Sequence, residues 1–553
     1  MHLKLNSAFD YLLIMNIFFT FIQRLFIKDN KNKEIQNLNI QDLSLFYDLS
    51  NDDVFKEKNN QIILDLDLDD VFYKIDKTNS IIGKEYLYNH IVSQKTTTID
   101  IEIIEKNIDY FNSNPTQKEA TIKILKKANS IKLINLPYLF LKPAITLYPH
   151  INIYYLLSLS ALASIIISIF NPSFILIFIF ISIINFAIHY NNKKKLLIYS
   201  DSISQLETLY KVSKDIQNLN LNLISQESSK RSITLLSKMK YWLKVISSGN
   251  YVEINDFMLL FWYPFELLKA CFLVEIVVMQ KIFRTIAKQR EDIRILYTFI
   301  GKIDLYLSIS KLREDMLYFC KPTISTNKNK ILICEDIIHP LIEDCVPNNI
   351  TLNNQSLILT GSNMSGKTTF LRTIAINNIL ANTINTCFAT KFESLKMQTL
   401  TSIRITDDLL QRKSFFFEEV SLLKKLINIS TQEDNCLFVI DELFKGTNTR
   451  ERIAASKSIL EFLNKTNHIV LFSTHDLELI ELLEEGFERG YFYEREQEGE
   501  LKFDYKFKIG KNYLTNAIRI LELNNYPQEI IDDAYDYLAS EPQSHCKRDN
   551  EGV

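Results

Sequence analysis

The sequence predicts two kinds of structure in one chain: an all-α region interrupted by a two-helix transmembrane hairpin, and a C-terminal α/β domain. Three observations lead to this prediction. Apolar residues recur every three or four positions over much of residues 61–325, which is typical of amphipathic helices. Two long uncharged stretches lie within residues 151–190. From residue 326 onward, short apolar runs alternate with helical patterns, as in domains built around a mostly parallel sheet.

The chain has 553 residues, which is too long for a single hydrophobic core. Changes in composition and periodicity divide it into six segments. They are an amphipathic or linker segment at 1–60, a first helical part at 61–150, the hairpin at 151–190, a second helical part at 191–325, the α/β domain at 326–540 and a disordered tail at 541–553. Residues 30–60, within the first segment, are polar and are predicted to be loop-like.

Charge and cysteine content favour some classes of function over others. The net charge is −3, so the chain has no overall basic field of the kind that marks many nucleic-acid-binding proteins, although a local basic surface would suffice. The lysine-rich segment 211–244 is such a surface, and it could contact the phosphates of a nucleic acid or the headgroups of anionic lipids. The seven cysteines are scattered without metal-binding spacing, which favours a reducing compartment.

The hairpin prediction rests on length and charge. Residues 151–170 and 173–190 contain no charged side chain, and each stretch approaches the ~20 residues with which an apolar helix crosses the hydrocarbon core. Asn171-Pro172 separates them as a turn. Lysines lie on both flanks of the hairpin. They predict that both ends of the hairpin, and with them the α/β domain, lie on the cytoplasmic side of a bacterial-type inner membrane. The alternative is a buried helical hairpin in a large core. The flanking lysines are Lys126, Lys127, Lys132, Lys142, Lys193, Lys194 and Lys195.

Two further apolar segments are interpreted differently. Residues 8–27 are short for a span and lack the features of a secretory signal, so we expect an amphipathic or interfacial helix, with a membrane anchor as the alternative. Residues 257–280 are very apolar but contain Glu266, Lys269 and Glu275. A third span there would also put the two sides of the chain in different compartments. A buried helix is therefore favoured for this segment.

The most specific motif lies at residues 361–368, which have the sequence GSNMSGKT and match GxxxxGK[ST] between a predicted strand and a predicted helix. In this motif, backbone N–H groups hold phosphate oxygens. Lys367 would contact the β- and γ-phosphates, and the hydroxyl of Thr368 would bind Mg²⁺. The α/β domain is therefore predicted to have a P-loop fold. The predicted cofactor-binding residues of the loop are Gly361, Ser362, Asn363, Met364, Ser365, Gly366, Lys367, Thr368 and Thr369.

Two later apolar runs end in residues suited to hydrolysis. CLFVI is followed by Asp441 and Glu442, so Asp441 is predicted to hold Mg²⁺ and Glu442 to polarise the attacking water as a general base. His475 follows the next apolar run, and ligands bind at the carboxyl ends of parallel strands. A purely structural histidine is the alternative there. Glu442, His475 and Lys367 are thus the predicted catalytic residues, and Thr368 and Asp441 the predicted metal ligands.

Several motifs together resemble the MutS family. Asn363-Met364 and the continuation TTFLR match a MutS hallmark of the phosphate-binding loop. Other matching segments are IIHPLIEDCVPNNI, KSFFFEEVSLLKKLI, DELFKGTNTRERIAAS, FSTHDLEL and NAIRILELNNYPQEIIDDAYDYL. The resemblance covers about residues 300–540 and extends more faintly to residues 67–91. It implies an ABC-type ATPase head, hydrolysis of ATP with Mg²⁺, and a homodimer in which Ser414 contacts the ATP of the partner.

The chain also departs from the family pattern. Cys345 stands where the family usually has an aromatic residue against adenine, and Tyr505 is the candidate replacement. Phe415 occupies the position of a family threonine that follows Ser414. About sixty residues precede the region of resemblance, too few for the family's mismatch-binding N-terminal domain. Phe55-Lys56-Glu57 is therefore interpreted as a chance match to the Phe-x-Glu wedge that recognises mismatches.

The resemblance and the hairpin together predict a membrane-anchored MutS-like ATPase. On this interpretation it is related to DNA repair, binds DNA structures other than mismatches, and works as a homodimer with ATP and Mg²⁺. The alternative is a membrane-associated, ATP-driven conformational switch with no DNA substrate. An ABC transporter subunit is the least supported class, because SFFFEE stands in place of an LSGGQ-type signature.

Overall fold

The computed structural model describes residues 40–142, 151–224, 227–237, 267–325, 329–362, 365–404, 415–431, 435–444, 446–483, 485–497, 500–510, 517–524 and 526–540. The chain forms two compact units. The first, here called the helical unit, comprises Met1–Glu57 and Ile75–Asp315. The second, here called the head, comprises Lys58–Lys74 and Met316–Val553. The head therefore includes a short segment that the sequence places between helices of the other unit.

The prediction of a helical region before the head is confirmed for the described residues. The helices are α1 (Ile40–Leu43), α2 (Leu45–Ser50), α3 (Asp53–Asp65), α4 (Leu68–Ile75), α5 (Ile81–Ser93), α6 (Thr98–Ser113), α7 (Pro115–Leu125), α8 (Tyr138–Leu141), α9 (Ile151–Ser168), α10 (Phe174–Asn218), α11 (Glu227–Ser237), α12 (Val274–Lys288) and α13 (Arg290–Asp315), with 3-10 turns at Lys126–Ala128 and Ile131–Asn135. Local sequence explains several boundaries. For example, Thr97 and Asp100 form a capping box at the start of α6, and Pro115 occupies the first turn of α7.

The prediction that residues 30–60 are loop-like is wrong for the part that is described. Residues 40–60 lie in α1, α2 and the first half of α3. Leu43, Phe46 and Tyr47 are buried, and they recur at the three- and four-residue spacing of one helix face. The many Asn, Asp and Lys residues of this segment obscured that face. Phe55-Lys56-Glu57 also lies in α3, and residues 8–27 fall outside the described part of the chain.

Two of the described helices are long and apolar enough to cross a membrane, Ile151–Ser168 and Phe174–Asn191. Only 17% of the first and 11% of the second are buried inside the protein, whereas a core helix of a water-soluble domain would be mostly buried. Their outward surfaces are apolar, as the exposed side chains of Leu156 and Phe180 illustrate. The second of these helices belongs to α10, which continues without interruption to Asn218.

The third apolar segment is not one continuous helix. Residues 257–266 lie outside the described part, and a helical turn at 267–271 is separated from α12 by Phe272 and Leu273. Leu273 has a φ of 48°, in the left-handed region. Side chains of the hairpin helices donate to carbonyl groups at this break: Asn185 to the carbonyl of Cys271 at 2.6 Å, and Ser158 to that of Phe272 at 2.8 Å. The favoured interpretation of a single buried helix is therefore corrected to a broken helix that packs on the hairpin.

Helices α5 and α13 cross closely in the helical unit, because each contributes a glycine to the contact. A Cβ atom added to Gly83 of α5 would lie 2.1 Å from a carboxylate oxygen of Asp304. One added to Gly301 of α13 would lie 2.6 Å from the Tyr86 ring. The crossing therefore depends on the absence of side chains at these two positions.

Asp304 also holds the N-terminus of α5. Its buried carboxylate accepts hydrogen bonds from the backbone N–H of Asn79 at 2.9 Å and of Ser80 at 2.8 Å, and from the Ser80 hydroxyl. These donors satisfy a negative charge that is fully buried. Burial nevertheless raises the pKa of Asp304 to about 6.

The head contains ten strands and several helices among its described residues. The strands are β1 (Thr323–Ser325), β2 (Ile331–Ile337), β3 (Asn348–Asn353), β4 (Ser356–Thr360), β5 (Lys391–Leu395), β6 (Gln398–Ser402), β7 (Cys436–Asp441), β8 (Ile469–Ser473), β9 (Phe487–Gln497) and β10 (Glu500–Ile509). The helices after β4 are α14 (Lys367–Ile384), α15 (Phe415–Ser430), α16 (Thr449–Asn464), α17 (Leu477–Leu482), α18 (Ala517–Leu523) and α19 (Gln528–Ser540).

The strands form two sheets rather than one. The larger has the order β10-β9-β4-β8-β7-β6 and is parallel except for the β9–β10 pair. Its strands β4 and β8 are wholly buried, which explains why they appear in the sequence as uninterrupted apolar runs. The smaller sheet has the order β1-β5-β2-β3, and β2 is antiparallel to both neighbours. The sequence predicted that the apolar run ILICED, which forms β2, belongs to the mostly parallel sheet. That prediction is wrong, because β2 lies in the smaller sheet.

We predict that Gly301→Ala destabilises the helical unit, because the new methyl group would overlap the Tyr86 ring. A loss of about 1–3 kcal/mol is expected for this overpacking. The measurement is the thermal unfolding midpoint of the full-length protein in detergent micelles. Gly446→Ala is the matched control, because a Cβ atom there meets its nearest neighbour at an ordinary 3.6 Å. Equal midpoints for the two variants would contradict the close crossing.

Candidate functional site

The phosphate-binding loop begins directly after β4 and ends at the first residue of α14. Gly361 and Gly366 have φ values of 130° and 101°, a region that L-residues rarely adopt. Gly361 is also limited by space, since a Cβ atom there would lie 3.0 Å from the carbonyl oxygen of Phe492. Both glycines of the motif are thus required by the backbone. Asn363 and Met364, which gave the loop its family-specific character, lie outside the described residues.

Lys367 is the first residue of α14, and its side chain turns back over the loop. Its ammonium group donates to the carbonyls of Gly361 at 2.6 Å and Ser362 at 2.8 Å. It also lies 3.5 Å from Nε2 of His475. Although Lys367 is a charged residue, it is only 4% exposed. A buried ammonium group at the start of a helix is placed to contact anionic oxygen atoms in the loop.

Thr368 joins the start of α14 to the end of β7. Its hydroxyl donates to Oδ2 of Asp441 at 2.8 Å, and the other carboxylate oxygen accepts from the hydroxyl of Ser473. Asp441 and Ser473 are register partners on the parallel strands β7 and β8. A threonine hydroxyl and an aspartate carboxylate are hard oxygen donors of the kind that Mg²⁺ prefers. The two predicted metal ligands therefore lie together and fit that ion.

Ser473 was not identified from the sequence. It ends β8 two residues before His475, and the run LFSTHD gave no separate reason to select it. Only the pairing of β7 with β8 places its hydroxyl against the carboxylate of Asp441.

Glu442 and His475 lie next to this pair. The carboxylate of Glu442 is 3.2 Å from Nε2 of His475, and the backbone N–H of Glu442 donates to the carbonyl of Ser473 at 2.9 Å. Glu442 has a φ of 61° and Phe444 a φ of 58°, so two non-glycine residues of this turn occupy the left-handed region. Such backbone strain persists where surrounding contacts over-determine it, and it concentrates at functional sites.

One of those contacts comes from Glu419, which sequence analysis did not single out. Glu419 lies on α15, is 1% exposed, and accepts a hydrogen bond from the backbone N–H of Phe444 at 2.5 Å. An acidic residue on the apolar side of α15 is the signal that could have identified it. Glu419 thus stabilises the strained turn after β7.

The ion pair between Arg452 and Asp476 is a second contact that holds this site in place. The guanidinium of Arg452 on α16 donates twice to the carboxylate of Asp476, at 2.6 and 2.9 Å. This hydrogen bonding raises the pKa of Arg452. Since Asp476 directly follows His475, the bidentate pair restricts the turn that positions the imidazole.

A cavity of about 440 Å³ lies beside the loop and the start of α14. Its lining residues include Gly366, Lys367, Thr368, Thr369, Cys345 and Tyr505. Tyr505 lies over Gly366, where a Cβ atom would meet Cδ1 of the tyrosine ring at 3.3 Å. Tyr505 is 47% exposed and contributes to the lining of the cavity. Cys345 and Tyr505, the candidate replacement for the family's aromatic residue, therefore line the same cavity.

Asn348, which sequence analysis did not select, positions Tyr505. The amide of Asn348 donates to the carbonyl of Tyr505 at 3.0 Å and accepts from the backbone N–H of Phe507 at 2.7 Å. The β9–β10 pairing is irregular between Phe503 and Phe507, and Tyr505 has a φ of 51° there. The asparagine thus satisfies backbone groups that the bulge leaves without strand partners.

The structure brings most of the selected residues to the carboxyl ends of β4, β7 and β8. Lys367, Thr368, Asp441, Glu442 and His475 are linked there by the distances given above. Ser365 is buried at the base of the loop, and its hydroxyl donates to the carbonyl of Ser362 at 2.8 Å. Ser414 lies outside the described residues, so its predicted contact with a partner stays a prediction.

Comparison with known proteins supports the family resemblance in this region. Residues 357–540 match the family model of MutS domain V. The DNA mismatch repair protein MutS of Staphylococcus haemolyticus is 33% identical over 264 residues, which cover 46% of this chain and 29% of that protein. The corresponding values for MutS of Staphylococcus epidermidis are 31% over 271 residues, 46% and 30%, and for MutS of Staphylococcus aureus 31% over 262 residues, 45% and 29%. The chain thus spans about 30% of the length of these curated relatives. Its C-terminal region is therefore similar to MutS domain V.

We predict that Glu419→Ala loosens the turn after β7, because the N–H of Phe444 loses a charged acceptor worth about 1.5–3 kcal/mol. Hydrogen–deuterium exchange of the full-length protein should show amide exchange in the peptide covering 440–446 faster by roughly tenfold or more. Glu419→Gln retains an acceptor oxygen and should exchange nearly as the wild type does. Glu418→Ala, one residue away, is the matched control, and equal exchange in the two alanine variants would count against this role.

Proposed function

We propose that the chain is a membrane-anchored, MutS-like ATPase that hydrolyses ATP with Mg²⁺. The observation that supports this most directly is the hydrogen bond between Thr368 and Asp441, which joins the phosphate-binding loop to the acidic end of β7. Lys367 and the Glu442–His475 pair lie around it. The match to MutS domain V agrees with this chemistry, since the matched residues include all of these side chains.

Each side chain then has a defined part in hydrolysis. The ammonium of Lys367 would leave the carbonyls of Gly361 and Ser362 for the β- and γ-phosphate oxygens. Thr368 and Asp441 would hold Mg²⁺, which when bound neutralises charge on the phosphates. Glu442 would accept a proton from the attacking water, and His475, 3.2 Å away, would orient that carboxylate and the water.

The proposed active form is a homodimer. Helix α15 starts directly after Ser414, and it exposes Phe416, Phe417 and Val420, which are 39%, 54% and 40% exposed. An apolar helix surface of this kind favours burial against a second protein surface. Through this helix, Ser414 of one protomer would contact the ATP bound to its partner, as the family resemblance implies.

Membrane anchoring is supported by the exposed apolar surfaces of α9 and the first part of α10. The charge-free length of both stretches and the lysines on both flanks agree with two spans whose ends face the cytoplasm. The relatives are named as DNA mismatch repair proteins, so DNA repair is the first proposal for the process that the ATPase serves. Structure-specific DNA, rather than mismatched DNA, is the proposed ligand.

One observation favours a second candidate function, an ATP-driven switch at the membrane without a DNA substrate. Helix α10 runs for 45 residues from the hairpin into the helical unit without a Pro or Gly. A continuous helix of this length, about 68 Å, can transmit movement between the bilayer and the rest of that unit. Duplex and branched DNA distinguish the candidates: a several-fold stimulation of hydrolysis by the full-length protein supports DNA repair, and no change supports the switch.

We predict that Glu442→Gln lowers the rate of ATP hydrolysis by about 10²- to 10³-fold, because the amide cannot accept a proton from water. Binding of ATP with Mg²⁺ should persist, since Lys367, Thr368 and Asp441 are unchanged. Phosphate release and equilibrium binding of a fluorescent ATP analogue measure the two effects on the full-length protein in detergent. Glu478→Gln on α17 is the control. A Glu442→Gln variant with the wild-type rate would exclude the proposed general base.

We predict that Ile183→Arg removes the protein from the membrane fraction. Ile183 is 63% exposed and lies near the middle of its proposed span, where an arginine costs about 2.5–3.5 kcal/mol or more. Tyr190→Arg is the matched control, because Tyr190 is 65% exposed at the cytoplasmic end of the same span. On a water-exposed hairpin both substitutions would be neutral. Equal membrane recovery of the two variants after alkaline extraction would therefore contradict the anchor.

A further inference from the structure

The turn between α3 and α4 lies in Lys58–Lys74, a segment of the head that the helical unit flanks on both sides in sequence. Asp65 ends α3, and Asp67 lies in the turn with a φ of 48°. Aspartate and asparagine adopt this left-handed conformation more readily than most residues. The turn therefore presents two carboxylates to the head, and neither was selected by sequence analysis.

The first partner of this turn is the backbone that follows β6. Asp65 accepts hydrogen bonds from the N–H groups of Ile403 at 3.0 Å and Arg404 at 2.8 Å. The guanidinium of Arg404 donates to both carboxylate oxygens of Asp67, at 2.6 and 2.9 Å, and to the carbonyl of Leu64 at 2.8 Å. Five hydrogen bonds thus hold the end of β6 against the turn.

The second partner is Arg372, which lies on α14 one helical turn after Thr368. Its guanidinium donates to Oδ2 of Asp67 at 3.1 Å. Burial lowers the pKa of Arg372, and the neighbouring charge of Arg404 acts in the same direction. The carboxylates of Asp67, Asp65 and Asp441 act in the opposite direction. Because residues four apart share one face of a helix, Arg372 lies on the side of α14 that carries Thr368, whose hydroxyl donates to the proposed Mg²⁺ ligand Asp441 at 2.8 Å.

The charges around the turn are balanced. The guanidinium groups of Arg372 and Arg404 both pair with Asp67, and Asp65 accepts the backbone N–H groups of Ile403 and Arg404 beside them. His339 lies nearby, but burial lowers its pKa to about 4, so it adds no charge at neutral pH. Removing the charge of Asp67 would leave Arg372 half-buried without its carboxylate partner, with Asp441 as a remaining anion within its influence.

We propose that Asp67 is a positioning residue of the nucleotide site: by pairing with Arg372, it keeps this guanidinium from competing with Mg²⁺ for the carboxylate of Asp441. The proposal rests on the proposed Mg²⁺·ATP site, and it adds a residue outside the matched domain V to that site. Neutralising Asp67 weakens Mg²⁺ binding, and removing the positive charge of Arg372 as well restores it.

The experiment titrates MgCl₂ against the full-length protein in detergent and follows binding of a fluorescent ATP analogue, so that it does not depend on hydrolysis. Asp67→Asn keeps the shape and the left-handed turn but removes the charge. It is expected to raise the half-maximal Mg²⁺ concentration about three- to tenfold. Asp70→Asn is the matched control, because Asp70 is an exposed carboxylate three residues later on α4, and it should leave that concentration unchanged.

Arg372→Gln gives an independent test of opposite sign. Alone, Arg372→Gln should leave the half-maximal Mg²⁺ concentration equal to or below the wild-type value. Combined with Asp67→Asn, it should return that concentration to within about twofold of the wild-type value. A role limited to folding predicts instead that the double variant is at least as impaired as Asp67→Asn. Circular dichroism and the thermal midpoint confirm that each variant is folded.

Three results would overturn the proposal: Asp67→Asn behaving as Asp70→Asn, no recovery in the double variant, or weaker Mg²⁺ binding in Arg372→Gln alone. The result for Arg372→Gln alone would overturn the proposal even if Asp67→Asn fails to fold. A wild-type protein that binds no ATP analogue at any Mg²⁺ concentration would instead overturn the proposed nucleotide site, and this proposal with it. The two failures are therefore distinguishable.

Discussion

The hydrogen bond between Thr368 and Asp441 depends on the register of three parallel strands. Thr368 follows β4 across the phosphate-binding loop, and Asp441 ends β7. Strand β8 lies between β4 and β7 and aligns Ser473 with both Leu359 and Asp441. A shift of one residue in either pairing would turn the side chains at the strand ends to the opposite face. The central residues of β4, β7 and β8 are apolar and buried, and they therefore fix the register that allows a hydroxyl and a carboxylate to meet at 2.8 Å.

Sequence analysis identified the parts of this site whose cause is local. The two glycines of the loop, Lys367 and Thr368 follow one another in the chain, and β7 is a buried apolar run that ends at Asp441. Glu419, Asn348 and Ser473 were missed because each acts through a backbone or carboxylate group distant in sequence. The turn at Asp65 and Asp67 is the extreme case, since its arginine partners lie more than 300 residues away. The helices at 40–60 were missed for another reason, because their few buried residues are diluted by Asn, Asp and Lys.

The broken helix before α12 places a constraint on the hairpin formed by α9 and the first part of α10. A left-handed residue at Leu273 leaves carbonyl groups without helical partners, and Asn185 and Ser158 supply donors for two of them. Asn185 is fully buried on the apolar helix α10. Unpaired carbonyls are costly in an apolar environment, so an asparagine and a serine on otherwise apolar helices stabilise the break. The element that packs against the hairpin thus explains two of its polar residues, Ser158 and Asn185.

Within the helical unit, a buried carboxylate joins α5 to α13, and each of these helices lies close in sequence to a point where the chain passes to or from the head. The chain passes between the two units at 57–58, 74–75 and 315–316. The second passage lies at the end of α4. This helix begins directly after Asp67, whose carboxylate accepts from Arg372 on α14. The third follows α13, whose Asp304 accepts from Asn79 and Ser80 immediately beyond the second passage. The two passages are therefore joined to each other by a buried carboxylate. Within the helical unit, a displacement of the N-terminus of α5 must therefore act on α13 as well, because that terminus and the side chain of Asp304 share the same hydrogen bonds.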